Sequence, residues 1–131
     1  MSIDLHCHTS YSDGSTPLEE LIQLAALRGV TTFALTDHDT IAGCKCASEL
    51  GREAGVTVIP GVEISAVDPK RHGKAHILCY KPKKPEVLLP LLQKTTDSRP
   101  AAMLRSVDKV CRLYAIPREM ILPPAGGPTI F

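Results

Sequence analysis

Two histidines separated by one residue follow the first apolar stretch of the chain, and this pair restricts the possible folds more than any other feature. Residues 1–5 form a short apolar start, of which residues 3–5 are expected to be a strand, and His6-Cys7-His8 comes directly after them. Alternate residues of a strand point to the same side, so we expect His6 and His8 to present two imidazoles together while Cys7 faces the core. Such a pair at a strand end predicts a binding site there.

Acidic residues and further histidines recur where later strands are predicted to end. They lie in four segments: Asp13-Gly14, Thr36-Asp37-His38-Asp39-Thr40, Gly61-Val62-Glu63-Ile64-Ser65 and Ala75-His76-Ile77-Leu78. The carboxyl ends of parallel strands meet at one edge of a sheet, so these side chains can converge. Neutral imidazoles with carboxylates suit Zn, Mn or Fe, and a carboxylate can bridge two ions. The pattern therefore indicates a metal site.

The spacing of apolar runs predicts an α/β fold. Strands are expected at residues 3–5, 31–35 and 56–59, with a helix between each pair. A strand–helix–strand–helix–strand order predicts a parallel sheet with right-handed crossovers. Gly61 is expected to break the third strand, residues 62–66 to continue it in extended form, and residues 74–80 to return as a fourth strand.

Capping signals give the predicted ends of the two helices. Thr16 is expected to cap the first helix, with Pro17 at its first position and Glu19 three residues after the cap. Gly29 would end that helix in a left-handed conformation. A second helix is expected over residues 41–54, between Thr40 as its cap and Gly55. Both helices lie between predicted strands, as a parallel sheet requires.

The predicted secondary structure changes from strands to helices after Tyr80. A linker is expected at residues 81–85, followed by helices at 86–94 and 100–114 and a short third helix beginning near residue 116. The second of these has one apolar stripe: Ala101, Leu104, Val107, Val110, Cys111 and Tyr114. Residues 123–131 are expected to form a loop that ends in an unpaired Ile-Phe. We therefore predict a metal-site core over residues 1–80 and a helical insertion over 81–131, which leads to a C-terminal part beyond Phe131.

Composition limits the class of protein. With 131 residues and 44% hydrophobic content the chain can bury one core. A net charge of +1 gives no overall attraction to nucleic acid or anionic membranes. The five cysteines lack Cys-x-x-Cys spacing, which argues against a disulfide framework. Asp4 and His6 interrupt any secretory signal, and we expect a soluble cytoplasmic protein.

The motifs, taken in order, resemble those of the PHP (polymerase and histidinol phosphatase) family of metallophosphoesterases. The resemblance rests on His6-x-His8, Ser12-Asp13-Gly14, residues 36–40, residues 61–64 and His76, and it covers residues 1 to about 80 closely. It implies that the chain is the N-terminal portion of a distorted (β/α)7 barrel. Further ligands in this family come from later strands, so the chain would hold six of the expected set.

The resemblance also implies a role for each candidate ligand. His6 and His8 would hold one metal, and Glu63 would bridge it to a second metal bound by His76. Asp13 and His38 would hold a third. The cofactors would be two or three divalent ions (Mn, Zn or Fe). Asp37 and Asp39 would orient His38 or a neighbouring ligand.

The expected activity is that of the family's small bacterial enzymes, which remove phosphate from 3′,5′-bisphosphonucleosides or trim short oligoribonucleotides from the 5′ end. A metal-bound hydroxide, formed because the metal lowers the pKa of its water toward ~7, would attack phosphorus. Glu63 would set the metal spacing, and His8, His38 or an acidic neighbour would assist proton transfer. Arg99 is either a phosphate-binding arginine or an ordinary helix-start residue.

Two other functions compete with this one. A metal-binding or phosphate-binding module without catalysis could act through self-association, because exposed sheet edges pair with other chains. An amidohydrolase also opens with His-x-His, but its usual carboxylated lysine has no counterpart at a strand end here. Single residues have plainer interpretations as well: Asp13-Gly14 as a turn, His76 as a core histidine, His72 in an exposed turn. The lysines and arginines at 70, 71, 74, 81, 83 and 84 would form a solvated face or steer an anionic substrate.

Overall fold

The computed structural model describes residues 2–70 and 73–122. His72, Arg71 and the predicted terminal loop at 123–131 lie outside these described residues. The elements, in chain order, are β1 (Ser2–Cys7), α1 (Leu18–Leu27), β2 (Val30–Leu35), α2 (Cys44–Glu53), β3 (Thr57–Asp68), β4 (Gly73–Tyr80), α3 (Pro85–Tyr114) and a 3-10 turn (Arg118–Met120). The order confirms the predicted alternation of strands and helices up to β3.

The four strands form one sheet in the order β1-β2-β3-β4. β1 and β2 pair in parallel, as do β2 and β3, which is the predicted arrangement. β4 differs, because it pairs with β3 in antiparallel orientation. Only residues 69–72 separate the two strands in the sequence, and a parallel partner would need a long crossover connection.

Gly61 does not break β3, contrary to the prediction. β3 runs through it, pairing first with β2 up to Pro60 and then with β4 from Gly61 onward. A Cβ at position 61 would lie 3.0 Å from the Cys79 carbonyl oxygen and 3.1 Å from that of Leu35. The glycine therefore marks a close approach of three backbones.

The sheet curls into part of a barrel, as the predicted fold class requires. β1 and β4 are its two edge strands, yet the Tyr80 hydroxyl donates a hydrogen bond of 2.8 Å to the Leu5 carbonyl oxygen. A sheet of four strands can bring its edges this close only when it is strongly coiled.

The core lies between the sheet and the two short helices. Its buried members are Leu18, Ile22, Phe33, Leu35, Ala47 and Val56. α1 buries Leu18 and Ile22, which are four residues apart and share one helix face. Phe33 is 1% exposed. Cys7 packs against this cluster, as strand alternation predicts.

The predicted ends of the helices are correct at the C-termini and wrong at the N-termini. Gly29 and Gly55 both have φ of +72° and follow α1 and α2, as expected for left-handed caps. Pro17, not Thr16, is the N-cap of α1, and no side chain caps this helix. α2 begins at Cys44, because Thr40 accepts a hydrogen bond from the Ala42 amide and holds a turn ahead of the helix.

The C-terminal segment contains one long helix where two were predicted. α3 continues through residues 95–99, where no glycine ends it and the Ser98 hydroxyl donates to the Thr95 carbonyl. Of the predicted stripe, Val107 is buried but Tyr114 is 70% exposed. Among the described residues no helix has both the length and the apolarity to cross a membrane.

The chain divides into two compact units, residues 1–93 and residues 94–131. The predicted division after residue 80 stays a prediction. All six candidate ligands lie in the first unit.

Candidate metal centre

Four consecutive strands deliver the six predicted ligands to one place. His6 lies in β1 and His8 just after it, Asp13 lies in the following loop, His38 follows β2, Glu63 lies within β3 and His76 within β4. Neighbouring ring centroids are 5.0 Å (His6–His8), 4.7 Å (His8–His38) and 4.9 Å (His38–His76) apart. The four imidazoles thus form a continuous row.

The carboxylate of Glu63 lies at the centre of this row. Its Oε2 is 2.7 Å from His6 Nε2 and 2.8 Å from His8 Nε2, and its Oε1 is 2.8 Å from His76 Nδ1. The Glu63 side chain is only 6% exposed, whereas those of His6 and His76 are 49% and 47% exposed. Each oxygen faces a different side of the site, which is the arrangement of a carboxylate that can bridge two ions.

Asp13 closes a second group with His8 and His38. The Asp13 Oδ1 atom is 2.7 Å from His8 Nδ1, and the Oδ2 atom is 3.6 Å from His38 Nε2. His38 Nε2 is also 3.7 Å from Glu63 Oε2. These two longer distances exceed hydrogen-bond length but suit ligands of one ion, since tetrahedral bonds of about 2.1 Å place ligand atoms ~3.4 Å apart.

The six side chains form three overlapping groups of potential ligands. The groups are His6-His8-Glu63, His8-Asp13-His38 and His38-Glu63-His76, and the ligand atoms within each group lie within 4.8 Å of one another. His8, His38 and Glu63 each belong to two groups. Side chains that belong to two groups are expected when several ions occupy one site.

Backbone pairing fixes the distance between His38 and Glu63. The two residues form an isolated parallel bridge beyond the end of β2. The Glu63 amide donates to the Asp37 carbonyl at 3.2 Å, and the Asp39 amide donates to the Glu63 carbonyl at 3.0 Å. The imidazole and the carboxylate are therefore held by the sheet itself.

Asp37 holds the loop that carries Asp13. The Asp37 side chain is buried and accepts hydrogen bonds from the Thr9 amide at 2.7 Å, the Thr9 hydroxyl at 2.8 Å and the Ser12 hydroxyl at 2.7 Å. Thr9 and Ser12 were not among the predicted site residues, although each directly follows or precedes a candidate ligand. The hydrogen bonds of the Asp37 side chain thus join it to the neighbouring loop, on which the candidate ligand Asp13 lies.

Asp39 acts on the other side of the site. It has a left-handed φ of +51°, which aspartate tolerates better than most residues. Its Oδ1 accepts a hydrogen bond of 2.9 Å from the Ser65 amide, two residues beyond Glu63. The two aspartates that flank His38 therefore secure the chain segments on which Asp13 and Glu63 lie.

The electrostatics of the site favour carboxylates in their charged form. Burial opposes ionisation of Glu63, but hydrogen bonds with His6 and His76 and the charge of His38 outweigh it, and the pKa lies below its usual value. Burial likewise opposes ionisation of Asp13, and its contacts with His8 and His38 outweigh it, so its pKa is also lowered. Both carboxylates are available as anionic ligands.

The donor set fits divalent metal ions. Burial lowers the pKa of His38, which favours the neutral imidazole that a metal requires. Among the described residues, its buried Nδ1 has no hydrogen-bond partner, so Nε2, which faces both carboxylates, is the nitrogen directed into the site. Four imidazoles with two carboxylates match Zn, Mn or Fe rather than Ca or Mg.

The remaining predicted residue, Arg99, lies in α3 in the second compact unit. Its predicted role in phosphate binding stays a prediction.

Comparison with known proteins gives consistent results. The sequence model of the PHP domain family matches residues 4–107. The chain is 42% identical over 108 residues to a phosphoribosyl 1,2-cyclic phosphate 1,2-diphosphodiesterase of Eggerthella lenta, which covers 82% of this chain and 41% of that protein. It is 50% identical over 62 residues to a 5'-3' exoribonuclease of Haemophilus influenzae (47% of this chain, 23% of that protein).

A solved structure shares the fold. It is that of a protein of Bifidobacterium adolescentis assigned as a metal-dependent phosphoesterase, with a TM-score of 0.75 and 31% identity. The match covers 89% of this chain and 41% of the other. The matched part of the chain therefore spans about two fifths of the diphosphodiesterase and of the solved structure, and about a quarter of the exoribonuclease.

Proposed function

Since the chain belongs to the PHP domain family, we propose that it provides the metal-binding part of a phosphoesterase that hydrolyses a phosphate ester of a nucleotide or short oligonucleotide. The observation that supports this most directly is the position of Glu63. One buried carboxylate contacts His6, His8 and His76 through two different oxygens, and a fourth histidine lies within 3.7 Å. Such convergence from four strands is typical of a multi-ion hydrolytic site.

The three ligand groups would hold two or three divalent ions, of which Mn, Zn and Fe fit the donors best. When bound, these ions supply Lewis acidity and a water of lowered pKa. Glu63 would set the spacing between ions, because its two oxygens point toward different groups. Asp13, held by the loop around Asp37, would complete the ligand set on the side of His8 and His38.

His8 or His38 would move a proton during the reaction. His8 has Nδ1 against Asp13 and Nε2 against Glu63, so a proton on either nitrogen meets a carboxylate oxygen within 2.8 Å. The His38 ring lies against that of His8 and faces the same two carboxylates. Either imidazole would therefore exchange a proton with these carboxylates.

The substrate class is supported by the relatives. One is named for a phosphoribosyl cyclic phosphate and another for 5'-3' cleavage of RNA. The substrate in each name contains a phosphodiester of ribose. A nucleotide or short oligonucleotide is therefore the first substrate to test.

A metal-binding module without turnover is the second candidate. It is favoured by the openness of the site, because the side chains of His6, Asp13 and His76 are each nearly half exposed. Water in an open site screens the electrostatic stabilisation on which catalysis depends. The two candidates share the same ligands and differ in turnover.

The experiment measures Mn²⁺ binding by calorimetry and hydrolysis of p-nitrophenyl phosphate by the 131-residue chain, with Glu63→Gln as the test variant. The exposed Glu20→Gln on α1 is the control, since it makes the same chemical change away from the site. Loss of binding and of hydrolysis in Glu63→Gln alone supports the phosphoesterase. Binding with no hydrolysis by the unmodified chain favours the module, and equal behaviour of the two variants contradicts both.

Two further proposals concern the state of the protein. A cytoplasmic location is supported by the five cysteines, none of which forms a disulfide. Self-association would use β1 or β4, the edge strands of the sheet among the described residues. Analytical ultracentrifugation of the chain tests this second proposal.

A further inference from the structure

The two compact units carry opposite net charge, which the chain's overall value of +1 conceals. Residues 1–93 contain nine Lys and Arg against eleven Asp and Glu, a net charge of −2. Residues 94–131 contain six Lys and Arg against three Asp and Glu, a net charge of +3. An asymmetry of this kind is typical of chains in which one part contacts a polyanion.

The basic residues of the second unit are concentrated on one face of α3. Arg105, Lys109 and Arg112 are separated by four and three residues, so they follow one another on the same side of the helix, about 4.5–6 Å apart along its axis. They surround a surface cavity of about 440 Å³, whose other lining residues are Asp108 and Leu113. All three cationic side chains are exposed. We call this surface the α3 basic face.

The single acidic group of the cavity does not neutralise this face. The Asp108 carboxylate is 3.6 Å from an Arg118 guanidinium nitrogen, so its charge is already matched by a residue outside the cavity. None of the three cations of the basic face makes an ion pair with another described residue. Three positive charges therefore line one surface, and its single carboxylate already pairs with Arg118.

We propose that the α3 basic face binds the phosphodiester backbone of single-stranded nucleic acid. Two of its three cations are arginines, whose planar guanidinium groups form paired hydrogen bonds to phosphate oxygens. A row of charges along a helix can contact successive phosphates, whereas a mononucleotide offers its phosphates at one point. The proposal rests on the proposed function, because a second contact surface is useful only for a substrate that carries several phosphates.

The test measures binding in the absence of hydrolysis. The 131-residue chain is titrated against a 5′-fluorescein-labelled oligouridylate of about ten nucleotides in EDTA, with fluorescence anisotropy read over a range of NaCl concentrations. The test variant is Arg105→Gln/Lys109→Gln/Arg112→Gln, because glutamine keeps a long side chain with good helix propensity. The control is Arg28→Gln/Lys45→Gln/Arg52→Gln, which removes the same three charges from exposed positions of the first unit.

The expected result is specific to the basic face. Loss of three phosphate contacts should weaken binding at least tenfold near 0.1 M salt and reduce the slope of log K against log[salt] by about 2, since each contact to a single strand contributes ~0.7. The control should change the affinity less than twofold. Equal effects of the two triple variants, or no RNA binding by the unmodified chain, overturn the proposal.

Three additional measurements distinguish RNA binding by this face from a structural role and from binding of an acidic protein. A purely helix-stabilising role would lower the melting temperature of the test variant and leave RNA binding intact, which also overturns the proposal. If the triple variant does not fold by circular dichroism, single substitutions should each reduce the salt slope by about 0.7. Competition by polyglutamate as strong as that by RNA would indicate an acidic protein partner instead. Because metal is chelated, failure of this test is distinguishable from failure of the proposed hydrolysis.

Discussion

Asp37 accepts two hydrogen bonds from Thr9, one from its backbone amide at 2.7 Å and one from its hydroxyl at 2.8 Å. Thr9 directly follows His8, and Asp37 directly precedes His38. This pair of contacts therefore ties the segments that carry two candidate ligands. Gly14 completes the loop, because a Cβ there would lie 2.8 Å from the His8 backbone. The site depends on this loop as much as on the ligands.

We predict that Asp37→Asn weakens metal binding without removing a ligand. An amide has one acceptor oxygen, so at least one of the three buried donors that Asp37 satisfies loses its partner, at a cost of about 1–3 kcal/mol in the free energy of unfolding. Mn²⁺ affinity, measured by calorimetry, should fall about 10–100-fold. The exposed Glu49→Gln on α2 is the control. An unchanged affinity would show that Asp37 does not position the loop.

We predict that Gly61→Ala destabilises the sheet. The added methyl group would lie 3.0 Å from one carbonyl oxygen and 3.1 Å from another, and backbone atoms of three strands cannot all move away. The free energy of unfolding from urea denaturation should fall by about 1–3 kcal/mol. Gly73→Ala is the matched control, since a Cβ at that position meets nothing within 4 Å. Equal stability of the two variants would contradict the close approach at Gly61.

We predict that the Cys7 thiol resists alkylation while the chain is folded. Burial, followed by the charge of Asp4, raises its pKa to about 12. At pH 8 the thiolate, which is the reactive form, would be about 10³-fold scarcer than for an ordinary cysteine with a pKa near 8.5. Iodoacetamide labelling followed by peptide mass spectrometry measures this rate, with the urea-unfolded chain as reference. Labelling of Cys7 at similar rates in both states would contradict the raised pKa.

The metal-free chain should lose stability as the pH falls from 7 to 3. His38 has a lowered pKa in the fold, so below about 6.5 the unfolded chain binds a proton that the folded chain does not, and unfolding becomes more favourable. Glu63 and Asp13 also have lowered pKa values, and their contribution is present above their unfolded pKa values near 4 and is lost as the pH falls through the folded ones. Urea midpoints measured in EDTA across this range test the direction. A midpoint that rises toward acid would contradict it.

Local signals in the sequence predicted the C-terminal ends of the two short helices well and their N-terminal ends poorly. Gly29 and Gly55 end their helices as expected, because a left-handed residue after a helix depends on that residue itself. Thr16 and Thr40 were expected to cap helices and do not. A capping hydroxyl acts only if the chain enters the helix at the required angle, and neighbouring contacts decide that angle. Here the Thr16 carbonyl accepts a hydrogen bond from the Ser10 amide, and the Thr40 hydroxyl accepts one from the Ala42 amide.

The sequence by itself determined the kinds of candidate ligand and their order along the predicted strands. His6 and His8 follow an apolar run and are two residues apart. His38 follows a second apolar run, and Glu63 interrupts a third. These properties depend on residue type and periodicity alone. Their roles as ligands stay proposals, but the structure brings all six side chains together.

Only the tertiary structure decided how those residues meet. The antiparallel pairing of β4 with β3 brings His76 to Glu63. The buried Asp37 accepts hydrogen bonds from Thr9 and Ser12, which lie 25 or more residues away in the sequence. The division into two units likewise revealed a basic surface that the chain's net charge conceals. Contacts of this kind join residues that are distant in sequence, so they depend on strand direction and sheet curl, which no local pattern of residues specifies.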